Sequence, residues 1–314
     1  MEELLERCAG MDVHRDTVVV TIMVGFGKHM WKETRTFSTM TDGLRESAQW
    51  LKEHSITVAA IESTGIYWKP VFNVFEQEGV ELTLANARHV KNVPGRKTDV
   101  KDSAWLCRLF KCGLIEKSFI PPAANRQLRD LTRYRTTLVQ SLTSEKNRLI
   151  KMLESVNIKL ASVFSDVFGK TAWEIIQAIV TGEENVDTLT ANIHGRVKAS
   201  KEDIKRALTG TIKEADRVLL KIMILVIADL EKHVEAVDGQ IQANMKQFSK
   251  EAELLKTIPG VGDKAASVII AEVGTHMDQF ATSQHVTSWA GMAPGSNESA
   301  GKKKALESTQ ETIM

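Results

Sequence analysis

The chain has 314 residues, 43% apolar and 26% charged, a balance that excludes a disordered or fibrous polypeptide and gives length enough for two domains. Net charge is only +1, yet residues 85–160 hold 16 Lys and Arg against 6 Asp and Glu. That local excess points to one basic surface for a polyanion, although a solvated helix face would have the same composition.

Taken in order, the first strong signal is β-branched: Val13 to Val24 contains Thr17-Val-Val-Val-Thr-Ile and reads as a strand. Gly25-Phe-Gly-Lys predicts a turn and Trp31 to Phe37 a returning strand. Leu44 to His54 has helical spacing, and Thr57 to Ser63 is a short buried strand. Tyr67 to Glu78 predicts a helix closed by Gly79, followed by a strand over Val80 to Leu84. Two neighbouring strands, then helix, strand, helix, strand, predict an α/β domain opened by a hairpin. From Asp99 onward the pattern is almost wholly helical. Leu131, Leu138, Leu142, Leu149 and Leu153 recur at heptad-like steps, as do Met223, Ile227, Leu230, Val234, Val237 and Ile241, with Phe248 in register. The spacing predicts a coiled coil and self-association through this second helix; an ordinary bundle helix is the alternative. Residues 181–200 are polar and read as a linker.

Cys8, Cys107 and Cys112 are odd in number and form no CxxC, which indicates a reduced, cytoplasmic protein without a zinc site. The charged start is unlike a signal peptide, and the longest apolar stretch, Ile222 to Ala228, is far short of the ~20 residues of a membrane span. No membrane partner is expected.

The chemistry lies in carboxylates. Asp12, in Met11-Asp-Val-His-Arg-Asp, is placed at the start of the first strand, and Glu62 ends the central one. Strand ends are where α/β sheets place their sites. Asp99 and Asp102 stand three apart, on one face of a helix whose start is marked by Gly95 and Thr98. Singly, each acid has an ordinary reading as a cap, an ion-pair partner or a first-turn helix acid. Together they can hold two Mg²⁺ or Mn²⁺ ions ~4 Å apart for phosphodiester chemistry. A sugar-kinase-like ATPase also opens with a strand Asp and a hairpin, but needs glycine-rich phosphate loops where this chain has His14-Arg15.

The motifs Met11-Asp-Val-His-Arg-Asp, Ile61-Glu-Ser-Thr-Gly-Ile-Tyr, Lys97-Thr-Asp-Val-Lys-Asp-Ser-Ala, Thr257-Ile-Pro-Gly-Val-Gly and Trp289-Ala-Gly-Met-Ala-Pro, in this order, resemble the DEDD transposases of the Piv type, the recombinases of insertion-sequence family 110. The resemblance spans residues 11–303. It implies an RNase H-like (RuvC-like) domain over residues 1–160, with Asp12, Glu62, Asp99 and Asp102 as its acids. It further implies a helical coiled-coil region over 161–255 and a small C-terminal transposase domain over 256–314. The implied activity is cleavage and rejoining of element and target DNA with divalent metal and a serine nucleophile, guided by a structured RNA that the element encodes. The family's serine matches Ser299 better than Ser296. The stretch after Lys304 is unlike the family's continuation, so the chain reads as truncated there. Alternative readings are a non-catalytic nucleic-acid-binding remnant and a RuvC-like nuclease or junction resolvase.

Candidate nucleic-acid contacts follow the basic segment: Arg88, Lys91, Arg96 and Lys97, then Arg126, Arg129 and Arg133 at helical spacing on one face. Gly260 and Gly262 open a helix–hairpin–helix-like turn whose free N–H groups can hold a phosphate beside Lys264, and Lys302 follows Ser299.

Overall fold

The computed structural model describes residues 2–314 apart from 63–64, 87–89, 91–101, 116, 192, 194–196, 279, 291–297, 300–301 and 304–314, with the backbone alone at 289, 298–299 and 302–303. The described chain divides into two units, Met1–Ile120 and Pro121–Met314.

The first unit is an α/β domain. Its strands are β1 (Arg7–Val13), β2 (Thr17–Val24), β3 (Trp31–Ser38), β4 (Val58–Glu62) and β5 (Glu81–Ala85). Its helices are α1 (Thr41–Glu53), α2 (Trp68–Gln77) and α3 (Asp102–Lys111). The sheet runs β3-β2-β1-β4-β5, with β1, β4 and β5 parallel and β2 and β3 antiparallel to their neighbours. The predicted hairpin and the helix, strand, helix, strand that follow it are all present. One strand was not expected. Residues 7–13 form β1, so Asp12 lies at the end of the first strand and not at its start. The segment RCAGMDV has few β-branched residues, which hides it from propensity.

Alternation in β1 and β4 sorts two layers. Met11, Ala59 and Ile61 face α1 and α2, in a core with Leu44, Leu51, Val71 and Phe75. Cys8 and Gly10 face the other way, toward α3, as does Ala60 against Trp105, Leu106 and Leu109. Full burial of one such aliphatic or aromatic side chain is worth ~1.5–3 kcal/mol, so both layers are strongly specified. A one-residue slip of β1 would exchange the two sets.

The second unit is built on two long helices, α4 (Ala123–Ser155) and α9 (Glu214–Met245). Between them lie α5 (Leu160–Val163), α6 (Lys170–Val180), α7 (Val186–Leu189) and α8 (Lys201–Ala207). After them come α10 (Ser249–Lys256), α11 (Asp263–Val273) and α12 (Ser283–Trp289). Helices α4 and α9 run antiparallel: Arg135 pairs with Asp238, and Lys146 with Glu231 at 2.7 Å. Leu149 and Leu153 share a core with Leu220, Ile227 and the isoleucines of α6, while Leu128 meets Ile241, Phe248 and Ile270 at the other end. The heptad stripe of α9 is therefore used against α4 of the same chain. The partner of the stripe is internal, as in an ordinary helix bundle, and the helices that form the pair lie on both sides of residue 160. None of the described helices is long and apolar enough to cross a membrane.

Candidate active site

Asp12 and Glu62 are brought together by strand register. The parallel pairing Ala9↔Ala59, Gly10↔Ala60, Met11↔Ile61 is followed on the two strands by Asp12 and Glu62, and neighbouring strands lie ~4.8 Å apart. Both share the parity of Gly10 and Ala60, so both stand on the face that α3 covers. Asp12 is one-quarter exposed, and the Nε2 of His14 lies 3.3 Å from its carboxylate.

Helix α3 fixes the third acid. It runs antiparallel to β1: Ser103 lies over Gly10, Cys107 lies against Cys8, and the Lys111 ammonium reaches the carbonyls of Leu5 and Glu6. Asp102, the first residue of α3, therefore lies toward the Asp12 end of the strand. The helix can sit this low because residue 10 is glycine; a Cβ there would stand 2.7 Å from the Cα of Cys107 and collide with the carbonyl of Ser103. Hydroxyls lock the start of the helix. Ser103 Oγ and Thr21 Oγ1 are 2.8 Å apart, and Thr21 Oγ1 and Thr34 Oγ1 are 2.9 Å apart, in a chain crossing from helix to edge strand. Ser103 and Thr21 are fully buried, so this pairing resists displacement.

Carboxylate oxygens are a hard donor set, which fits Mg²⁺ or Mn²⁺. Among the described residues, no three His, Cys, Asp or Glu side chains stand together as a ready metal cage. The fourth acid, Asp99, lies outside the described residues, as do Arg88, Lys91, Arg96 and Lys97.

Several cations of the basic segment are paired with acids from elsewhere in the chain. Arg133 makes two hydrogen bonds to the Glu272 carboxylate, at 2.8 and 2.9 Å. Arg129 donates to the carbonyls of Ala271 and Glu272, at the C-terminal end of α11, and pairs with the Glu272 carboxylate at 3.1 Å. Burial lowers the Arg129 pKa, and Glu272 opposes that shift. Arg126 donates to the carbonyl of Pro121. These three arginines thus do not form one open face: Arg129 and Arg133 are turned onto α11, because a helix C-terminus and its carboxylate attract cations. Composition could not reveal this, since Glu272 lies some 140 residues away.

In the C-terminal part, Gly260 has φ 87°, a conformation that favours glycine, and Gly262 is the N-cap of α11, with Lys264 in its first turn. The segment joins α10 to α11 by a turn, with Lys256 tied to Asp263 across it at 2.9 Å. Ser299 and Lys302 are paired in a small antiparallel ribbon, Glu298–Ser299 with Lys302–Lys303.

A family model described as "Transposase" matches residues 9–158, and one described as "Transposase IS116/IS110/IS902 family" matches residues 252–312. The regions matched carry the two groups of motifs set out above. The chain belongs to the IS110 family of transposases. It is 23% identical over 199 residues to the transposase for insertion sequence element IS1533 of Leptospira borgpetersenii, a match spanning 62% of this chain and 57% of that relative. Among solved structures it is similar to T. thermophilus RuvC in complex with a Holliday junction substrate, with a TM-score of 0.28 and 9% identity, over 36% of this chain and all of that one.

Proposed function

We propose that the chain is a transposase that cleaves and rejoins the DNA of an insertion element, with Asp12, Glu62, Asp99 and Asp102 as its acidic site. The observation that carries this reading is the meeting of Asp12 and Glu62 on adjacent strand ends, under a helix that begins with Asp102, in a chain of a transposase family. The strand order β3-β2-β1-β4-β5 supports an RNase H-like assignment for this unit. The four acids would hold Mg²⁺ or Mn²⁺, which when bound polarises a phosphodiester and activates its attacking oxygen. The protein's part is to hold Asp12, Glu62 and Asp102 on strands and a helix, with little freedom to reorganise. His14 beside Asp12 is placed to orient that carboxylate.

Ser299 is proposed as the nucleophile of strand exchange. Its hydroxyl oxygen would attack phosphorus, releasing the deoxyribose oxygen and leaving a phosphoserine that conserves the bond for rejoining. Lys302 and the Gly260–Lys264 turn are proposed phosphate contacts, as are Arg88, Lys91, Arg96, Lys97 and Arg126. A structured RNA is the proposed guide. Self-association would use Val218, Ile222 and Leu225, which are exposed on α9, since the heptad stripe is already covered.

The test is recombination in vitro with the element's flanking RNA supplied, in Mg²⁺. Asp12→Asn and Asp102→Asn should each abolish product while the thermal melt stays within a few degrees of wild type. Activity retained in both variants sinks the acidic site. Cleavage that survives Ser299→Ala, with no covalent adduct in the wild type, favours instead a nuclease working through the acids alone.

A further inference from the structure

We propose that Cys8 and Cys107 form an oxidisable dithiol that closes to an intrachain disulfide between β1 and α3 under a peroxide or a small disulfide oxidant. The two sulfurs are 3.8 Å apart. Each thiol also faces the other residue's carbonyl, Cys8 Sγ at 3.8 Å and Cys107 Sγ at 3.6 Å, so the pair is held face to face by reciprocal contacts. The Gly10 contact keeps helix and strand backbones close at this point, which is what a disulfide with Cα atoms ~4.4–6.8 Å apart requires. Rotation of the two side chains has only to shorten a gap that already exists.

The two thiols are not equivalent. The Cys107 contact and the Lys111 ammonium lower the Cys8 pKa against its burial, whereas burial raises that of Cys107. Lys111 is an unusual neighbour, a lysine whose side chain is 1% exposed and held by the carbonyls of Leu5 and Glu6 with the Glu3 carboxylate 3.9 Å away. Cys8 is thus the attacking thiol and Cys107 the resolving one.

With hydrogen peroxide, the Cys8 thiolate attacks one oxygen; an S–O bond forms, the O–O bond breaks and hydroxide leaves. The Cys107 sulfur then attacks the Cys8 sulfur, an S–S bond forms and the S–O bond breaks. Two thiols and one peroxide become one disulfide and two waters. Both sulfurs are buried, and Leu5 lies over them on a segment tied to α3 through Leu4 N–H and Leu5 N–H to the Lys111 carbonyl. Displacement of that short segment is the route of entry.

The sequence argues for a different product. In an unfolded chain the easiest link is Cys107–Cys112, a very short loop, and a Cys8–Cys107 loop is entropically disfavoured. The folded chain should reverse that order. The experiment treats the full folded chain with hydrogen peroxide at neutral pH, alkylates remaining thiols, and maps peptides without reductant, beside a urea-unfolded control. Expected is a Cys8–Cys107 peptide at least tenfold over any other link, with Cys112 alkylated, and the same result in Cys112→Ser. The Cys8→Ser variant, which keeps the size of the side chain, should lose the cross-link and keep the fold. Three free thiols after treatment, or a link pattern in the folded chain like that in urea, overturns the proposal. Because the readout is a covalent map in wild type, a variant that fails to fold does not obscure it.

Discussion

Gly10 and Cys107 touch backbone to backbone, so α3 lies on β1 with no room for a methyl group between them. Gly10→Ala should therefore be costly. The colliding atoms are main chain and cannot rotate away, so the loss should be ~3 kcal/mol, at the upper end of the usual range for overpacking. A thermal melt of the full chain measures it. A stability change under 1 kcal/mol would mean that α3 can lift away from the strand.

The Thr21–Ser103 pair should matter to activity more than to stability. Ser103→Ala leaves the Thr21 hydroxyl with Thr34 and should cost about 1 kcal/mol. If Ser103 positions the start of α3, and with it Asp102, the concentration of Mg²⁺ needed for half-maximal DNA processing should rise several-fold in this variant. An unchanged requirement assigns the hydroxyl to packing alone.

Replacing Glu272 by Ala should reproduce the effect of removing Arg129 and Arg133. These are partly buried, charge-assisted hydrogen bonds, so each single variant should lose ~1.5–3 kcal/mol, and the Arg133/Glu272 double-mutant cycle should show clear coupling. A weaker affinity for nucleic acid in Arg129→Ala at full stability would return that residue to an interface.

The Arg135–Asp238 pair gives a pH signature. The hydrogen bond from Arg135 lowers the Asp238 pKa and the same contact raises that of Arg135. A depressed carboxyl contributes stability above its ordinary pKa of ~3.9, and loses that contribution as pH falls through the lower folded value. Asp238→Asn should be less stable than wild type at neutral pH, and the gap should narrow below pH 4. A gap that stays constant down to pH 2 would contradict the assignment.

Two residues of α9 separate the internal stripe from the outer face. Ile227 is buried and Leu225 is 61% exposed. Ile227→Ala should cost ~2–5 kcal/mol in a chemical melt, whereas Leu225→Ala should be near neutral and reduce any self-association seen by light scattering. The opposite pattern would reverse the faces.

Much of this was legible in the sequence, for identifiable reasons. Thr17-Val-Val-Val-Thr-Ile and residues 58–61 are β-branched or apolar throughout, so their strands could be read directly. β1 could not, because Ala9 and Gly10 are poor strand formers, and the same smallness admits α3. Asp12 was identified as a site candidate with its place on the strand misjudged. The stripes of α4 and α9 were visible, but spacing alone does not say whether the partner is another chain or a helix further along. The fates of Arg129 and Arg133 were hidden for the same reason, since their partner, Glu272, is remote in sequence and adjacent only after folding.

The antiparallel pairing of α4 with α9 also has a consequence during synthesis. Roughly ninety residues must follow Ser155 before α9 is finished, which at ~5–20 residues per second takes on the order of 5–20 s. Until α9 is finished, Leu128, Leu149 and Leu153 lack the full set of α9 side chains that later pack against them. A ribosome that stalls between residues 160 and 214 would leave a nascent chain with an uncovered leucine ridge, a natural substrate for holdase chaperones and for clearance.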